Sequence, residues 1–182
     1  DSADAELAAD EPAYSEEDLY DENITPDLVQ AVIRQESGGK SYVTSSAGAK
    51  GLMQLMDATG QAQFEKAKAS GKVSGEYDPY NKDLNLLLGT QELKDLSSKY
   101  QGDTALTLAA YNYGQGNVDK LMAKYGESFD DIQPHLPKET KDYVRNITGN
   151  LGSRAEAATE DTQDTTARLP EVDTESLPSN AQ

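Results

Sequence analysis

The sequence places one carboxylate in a setting suited to acid chemistry. Leu28, Val29, Val32 and Ile33 fall on one helix face. Glu36 continues that stripe, three residues after Ile33 and four after Val32. A charge at such a position is costly unless it is paired or neutralised by a raised pKa. Gly38 and Gly39 then end the helix directly behind it. A carboxyl at the lip of an apolar wall, beside a break in the backbone, can act as a general acid. The same spacing also fits a glutamate at a frayed end that turns outward. No other chemistry competes. There is no Cys, the lone His135 lies between Pro134 and Pro137, and residues 24–150 hold no acidic cluster with ligand spacing. No metal and no cofactor are expected.

The element that must hold Glu36 has a clear start. Thr25 suits an N-cap, Pro26 the first helical position, and Asp27 the positive end of the helix dipole. Ile24 can close over Val29. Residues 37–51, with four glycines, read as a loop, in which only Ser41–Thr44 hints at strand alternation. A second helix is expected from Leu52 through Ala58 to Phe64, followed by an exposed excursion over 65–77. Asp78-Pro79 reads as the next start. Leu84, Leu87, Leu88, Leu93 and Leu96 carry that helix to about Tyr100, with Glu92 on the inward row of Leu84, Leu88 and Leu96. Asp103 caps a helix over Ala105–Tyr111, Asn112–Gly116 turn, and Val118, Leu121 and Met122 mark another helix. Pro134 and Pro137 precede a last one over Glu139–Ile147. The reading is a mostly α fold of about six or seven helices, the seventh being a short one near Glu16–Tyr20.

The net charge of -17 is unevenly spread over the 182 residues. Residues 1–23 hold ten acids and no Lys or Arg, and 151–182 hold seven acids against Arg154 and Arg168. Residues 24–150 are nearly neutral. Three segments follow: an acidic N-terminal extension (1–23), a folded domain (24–150), and an acidic, low-complexity C-terminal extension (151–182). Both ends have the composition of flexible, solvated tails. No clustered Lys/Arg stripe offers itself to phosphates, so nucleic acid is not an expected partner. No apolar run approaches membrane-spanning length, and the acidic first residues do not form an export signal.

Glu36-Ser37-Gly38, Ala47-Gly48-Ala49-Lys50-Gly51-Leu52-Met53-Gln54-Leu55-Met56 and Ala109-Ala110-Tyr111-Asn112 stand in this order. Leu136-Pro137-Lys138-Glu139-Thr140-Lys141-Asp142-Tyr143-Val144 follows them, with Asp78-Pro79 and Leu88-Gly89 between. Together these resemble the catalytic domain of soluble lytic transglycosylases. That is glycoside hydrolase family 23, which includes the goose-type lysozymes. Four motifs in the right order are far more specific than any one of them.

The resemblance covers about residues 24–150 and implies a lysozyme-like α-helical domain. It also implies cleavage of the β-1,4 link between N-acetylmuramic acid and N-acetylglucosamine in peptidoglycan. In such enzymes one glutamate, here Glu36, protonates the leaving oxygen and later acts as base. The muramic acid 6-hydroxyl then closes on C1 to give a 1,6-anhydro sugar. The resemblance places Ser45, Met53, Gln54, Tyr111, Asn112, Glu139 and Tyr143 at or near the substrate. On pattern alone these are a loop serine, a core Met, a first-turn glutamine, a turn pair, a first-turn acid and a core Tyr. Two features depart from the family. Glu92 stands nineteen residues before Tyr111, where a groove tyrosine is common, and the family's last site tyrosine has no counterpart before the acidic tail. Glu92 is thus open to three roles: structural acid, saccharide contact or second carboxylate. A hydrolytic muramidase using Glu92, or a non-enzymatic wall-binding module, are the alternatives to lytic transglycosylase action. The expected partner is the peptidoglycan glycan strand, in the periplasm or outside the cell. Acidic ends without an export signal suggest a segment of a larger virion, secretion or conjugation protein.

Overall fold

The computed structural model describes residues 13–164, with side chains to residue 153, and is helical over most of the stretches with helical spacing. The helices are α1 (Glu16–Leu19), α2 (Pro26–Glu36), α3 (Asp57–Ala69), α4 (Lys82–Lys99), α5 (Thr104–Tyr113), α6 (Gln115–Tyr125), α7 (Phe129–Ile132) and α8 (Lys138–Asp164), with a 3-10 turn at Gln133–His135. Among the described residues there is no strand; Thr44, Lys50 and Leu55 meet only in isolated antiparallel bridges. None of the described helices is long and apolar enough to cross a membrane. The mostly α expectation holds.

The start of α2 is as the sequence dictates: Thr25 Oγ1 accepts from the Leu28 N–H at 3.3 Å and Pro26 opens the helix. Its apolar face, Leu28, Val29, Val32 and Ile33, is buried in the main core with Leu93, Leu96, Leu108, Ala109 and Ile147. A second cluster joins Leu55, Phe64, Leu84, Leu87 and Leu88. Helix α4 packs on α1, α3 and α5, so it borders both clusters and ties them together.

Several expectations are corrected. The helix expected from Leu52 begins only at Asp57, because residues 50–55 form a tight turn. Gly51 and Gln54 adopt left-handed φ values of 79° and 53°, and Lys50 and Leu55 exchange both backbone hydrogen bonds at 2.9 and 3.0 Å. Their apolar spacing reflects burial in a turn, not a helix face. Helix α3 then runs on to Ala69, into the expected excursion. The helix after Asp78-Pro79 is capped by Asn81, which accepts from the Leu84 N–H at 3.0 Å. Gly114 alone separates α5 from α6, and α8 runs well past Ile147 to Asp164. With these, the described helices number eight, one or two above the count expected.

The N-terminal extension expected to reach residue 23 contains a packed piece. Leu19 is buried in the second cluster, Lys94 donates to the Asp18 carbonyl at 2.8 Å, and Asp18 pairs with Lys72 at 3.1 Å. Residues 1–12 and 165–182, where the rest of both acidic extensions fall, lie outside the described residues.

Candidate active site

Glu36 is the last residue of α2. The Ser37 and Gly38 N–H groups both turn back to the Ile33 carbonyl, at 3.0 and 3.1 Å, and Gly38 and Gly39 take left-handed φ values of 62° and 86°. Only glycine enters that region without strain, so the chain leaves the helix abruptly and Glu36 stays half-buried at its end. The buried Tyr143 of α8 donates its hydroxyl to Glu36 Oε1 at 2.8 Å. Burial pushes the Glu36 carboxyl from 4.5 to about 7, the Tyr143 hydrogen bond opposes the shift, and the Glu139 charge adds to it. Burial also raises the Tyr143 phenol well above its ordinary value, with the Glu36 charge next in weight. Tyr143 is thus a fixed donor, and Glu36 can be protonated near neutral pH.

The turn at residues 50–55 is pinned by Asn85, a fully buried polar residue on α4. Its side chain accepts from the Met53 N–H at 2.7 Å and donates to the Lys50 and Pro79 carbonyls at 3.1 and 2.9 Å. A Cβ at Gly51 would lie 2.2 Å from the Pro79 carbonyl and 2.4 Å from the Asn85 amide nitrogen, so only glycine fits there. Met53 is fully buried with its side chain against Gly89; it is a core residue, and its carbonyl is what faces the site. Tyr111 of α5 donates its hydroxyl to that carbonyl at 2.8 Å. Burial raises the Tyr111 phenol well above 10.0, and the charges of Glu36 and then Glu92 raise it further. Tyr111 therefore lies within electrostatic reach of both acids.

Gln54 is not a first-turn helix residue. It holds its left-handed backbone while Nε2 donates to the Gly51 and Val43 carbonyls at 2.9 and 3.1 Å. A non-glycine residue held in this region costs about 1 kcal/mol or more. With Met56, Tyr111, Asn112 and Glu92 it lines a cleft of about 350 Å³. Asn112 Oδ1 accepts from the Thr140 hydroxyl at 2.8 Å, joining α5 to α8. Glu92, half-buried on α4, accepts from Gln63 Nε2 at 2.6 Å; burial raises its pKa, this bond opposes the shift, and Asp95 adds to it.

The remaining residues named from sequence are less central. Ser45 closes its own loop, with its hydroxyl accepting from the Ala49 N–H at 3.0 Å. Glu139 is exposed in the first turn of α8 and reaches Glu36 through its charge alone. The structure thus gathers Glu36 with Tyr143, and Gln54 with Tyr111, Asn112 and Glu92. Sequence reasoning missed Asn85, Gln63 and Thr140. Asn85 had left a signal, as the one polar residue in the run Leu84-Asn85-Leu86-Leu87-Leu88.

Residues 13–133 match the family described as the transglycosylase SLT domain. A Haemophilus influenzae protein assigned as a soluble lytic murein transglycosylase is 36% identical over 141 residues, covering 74% of this chain and 23% of that one. The transglycosylase of Enterobacteria phage PRD1 is 40% identical over 97 residues, 53% of this chain and 32% of its own. Among solved structures, the 70 kDa soluble lytic transglycosylase of Escherichia coli superposes with a TM-score of 0.58 at 28% identity, over 68% of this chain and 20% of that one. An inactive glutamate-to-glutamine mutant of the Pseudomonas aeruginosa lytic transglycosylase Slt gives 0.59 at 30% identity, with the same coverage. The chain spans less than a third of the length of each of these proteins.

Proposed function

The chain belongs to the transglycosylase SLT domain family, and from that premise we propose that it cleaves the β-1,4 bond between N-acetylmuramic acid and N-acetylglucosamine in peptidoglycan without water as nucleophile. The observation that carries this reading is the setting of Glu36. It is a single half-buried carboxyl, raised to about 7, with one oxygen held by Tyr143. Protonated Glu36 gives its proton to the glycosidic oxygen as the bond to C1 breaks. The muramic acid 6-hydroxyl then bonds to C1 and returns its proton to the Glu36 carboxylate. The product is a 1,6-anhydro end, and the acid is restored.

In this reading Tyr143 positions Glu36, and Gln54, Tyr111, Asn112 and Glu92 line the sugar cleft. Ser45, Met53 and Glu139 support it from the loop, the core and the rim. The two-carboxylate muramidase is disfavoured. The carboxylate acting on Glu36 is Glu139, the one acting on Glu92 is Asp95, and Glu92 is held by Gln63. The named relatives, soluble and phage-borne, support action on the bacterial wall, from the periplasm, from outside the cell or from a virion. A place for this domain within a larger virion, secretion or conjugation protein belongs to the same proposal, the phage relative being what supports its virion form. Digestion of purified sacculi followed by mass spectrometry of the soluble products is the test. Anhydromuramoyl ends, one water lighter than reducing ends, are expected from the parent and are lost in Glu36→Gln. Reducing ends that vanish in Glu92→Gln would establish the muramidase instead.

A further inference from the structure

The cleft that holds Gln54, Tyr111 and Asn112 does not end at Glu92. A second cleft of about 370 Å³ lies between α3 and α4 and shares Thr59, Glu92 and Gln115 with the first. It continues past Glu92 to Ala58, Ala62, Gln63 and Asp95. No Lys or Arg lines either stretch.

Glu92 stands where the two stretches meet, and its carboxyl is deliberately aimed. Gln91 Nε2 donates to the Gln63 backbone and side-chain oxygens at 3.0 and 2.5 Å, which fixes the Gln63 amide with its nitrogen outward. That nitrogen donates to Glu92 Oε2 at 2.6 Å and to Asp95 Oδ2 at 2.9 Å. Asp95 is neutralised by Lys66, at 2.6 and 2.7 Å from its two oxygens. Glu92 accepts a hydrogen bond from that neutral amide on Oε2, is acted on by the Asp95 charge and more weakly, in the opposite sense, by that of Lys66, and lines both stretches of the cleft. One carboxylate oxygen is therefore held, and the other is left to the cleft.

A half-buried carboxylate with no cation in contact is costly: Lys66 pairs with Asp95 and its charge acts on Glu92 more weakly than that of Asp95, and a sugar hydroxyl could hydrogen-bond to Glu92 without balancing it. A cation recovers the cost. Resting on the reading of this groove as the glycan site, we infer that Glu92 selects strands bearing a primary ammonium group at the sugar bound beside α4. Two sources share that chemistry: the 2-ammonium of an N-deacetylated hexosamine, and a free side-chain amine on the peptide attached to the strand. The open Oε1 would take the ammonium while Gln63 keeps Oε2.

The experiment measures binding by the full chain carrying Glu36→Gln, so that the result does not depend on cleavage. The first pair of ligands is glycan strands stripped of peptide, either fully N-acetylated or partly N-deacetylated. The second pair is fully N-acetylated strands whose peptides carry either free or chemically acetylated amines. At least one free-amine member is expected to bind about tenfold more tightly than its blocked partner, a gap that 0.5 M salt reduces. The pair that shows the gap identifies the source. Adding Glu92→Gln, an isostere that can keep the Gln63 contact, should bring the ratio to about one. Equal binding within both pairs overturns the inference, and so does a ratio that survives Glu92→Gln. Should that variant fail to fold, the ratios and salt response of the chain with Glu92 intact still decide. Failure of the cleavage reading would appear separately, as an absence of anhydro products from the parent.

Discussion

Replacing Glu36 by Gln should stabilise the protein at alkaline pH and leave it unchanged in acid. In the folded chain this carboxyl titrates at about 7, against an ordinary value of 4.5. Between those values the folded state binds a proton that the unfolded state has released. Stability then falls as pH rises, because the slope follows the difference in protons bound by the unfolded and folded states. The full contribution of Glu36 is present below 4.5, is lost progressively up to about 7, and does not change further above it. At 1.36 kcal/mol per pH unit, the displacement corresponds to about 3 kcal/mol. Gln keeps the oxygen that accepts from Tyr143 and carries no charge to desolvate, so it avoids this loss. Urea unfolding of parent and variant at pH 4, 6 and 8 gives the difference curve directly, and other titrating groups cancel in it. The expected variant-minus-parent difference is near zero at pH 4 and rises to about 2–3 kcal/mol at pH 8. A flat difference would show that Glu36 is solvated in the folded protein, and the argument for a neutral acid at the end of α2 would fail.

Tyr143→Phe removes the one hydrogen bond that favours ionised Glu36. Such bonds are worth about 1.5–3 kcal/mol, so the alkaline limb of kcat/KM should move up by about one pH unit or more; an unmoved limb would refute the link. Asn85→Ala strands the Met53 N–H and two carbonyls in a buried turn and should cost about 3 kcal/mol or more in urea unfolding. Leu19→Ala should cost about 2–3 kcal/mol, because α1 is packed; a loss below about 0.5 kcal/mol would return this segment to the solvated extension that its composition suggests.

Much of this was legible in the residues, and for identifiable reasons. Thr25-Pro26-Asp27 and the Leu28-to-Ile33 stripe are local signals, and the structure keeps both. Glu36 extends the stripe, but the same spacing fits an outward-turned glutamate at a frayed end, so periodicity left its burial as one of two readings. The turn at 50–55 was not legible, because its apolar residues have helical spacing while its conformation is set from 32 residues away, by the Asn85 contact to Met53. Propensity yields to such tertiary pairing. Composition misplaced Leu19 for a related reason. One buried leucine among acids does not change an average, yet the helix capped by Ser15 presents it to α4. Neither Tyr143 near Glu36 nor Tyr111 on the Met53 carbonyl can be read from spacing, since each joins segments more than fifty residues apart.

These long-range contacts explain how two carboxyls in one region can differ in their chemistry. Tyr111 lies within electrostatic reach of Glu36 and Glu92, and the charges of both act on its phenol. A second donor on Glu36 would favour its ionised form and pull its pKa back toward the ordinary range. The structure commits that proton elsewhere: Tyr111 donates to the Met53 carbonyl, and Asn85 fixes Met53 by holding its N–H. Burial then works on Glu36 against Tyr143 alone, and the carboxyl can keep its proton near neutral pH. Glu92 receives its donor from Gln63 of α3, on one oxygen, and lines the cleft with Tyr111. Asn85 touches neither acid, yet through Met53 and Tyr111 it helps to separate a proton donor from a ligand contact.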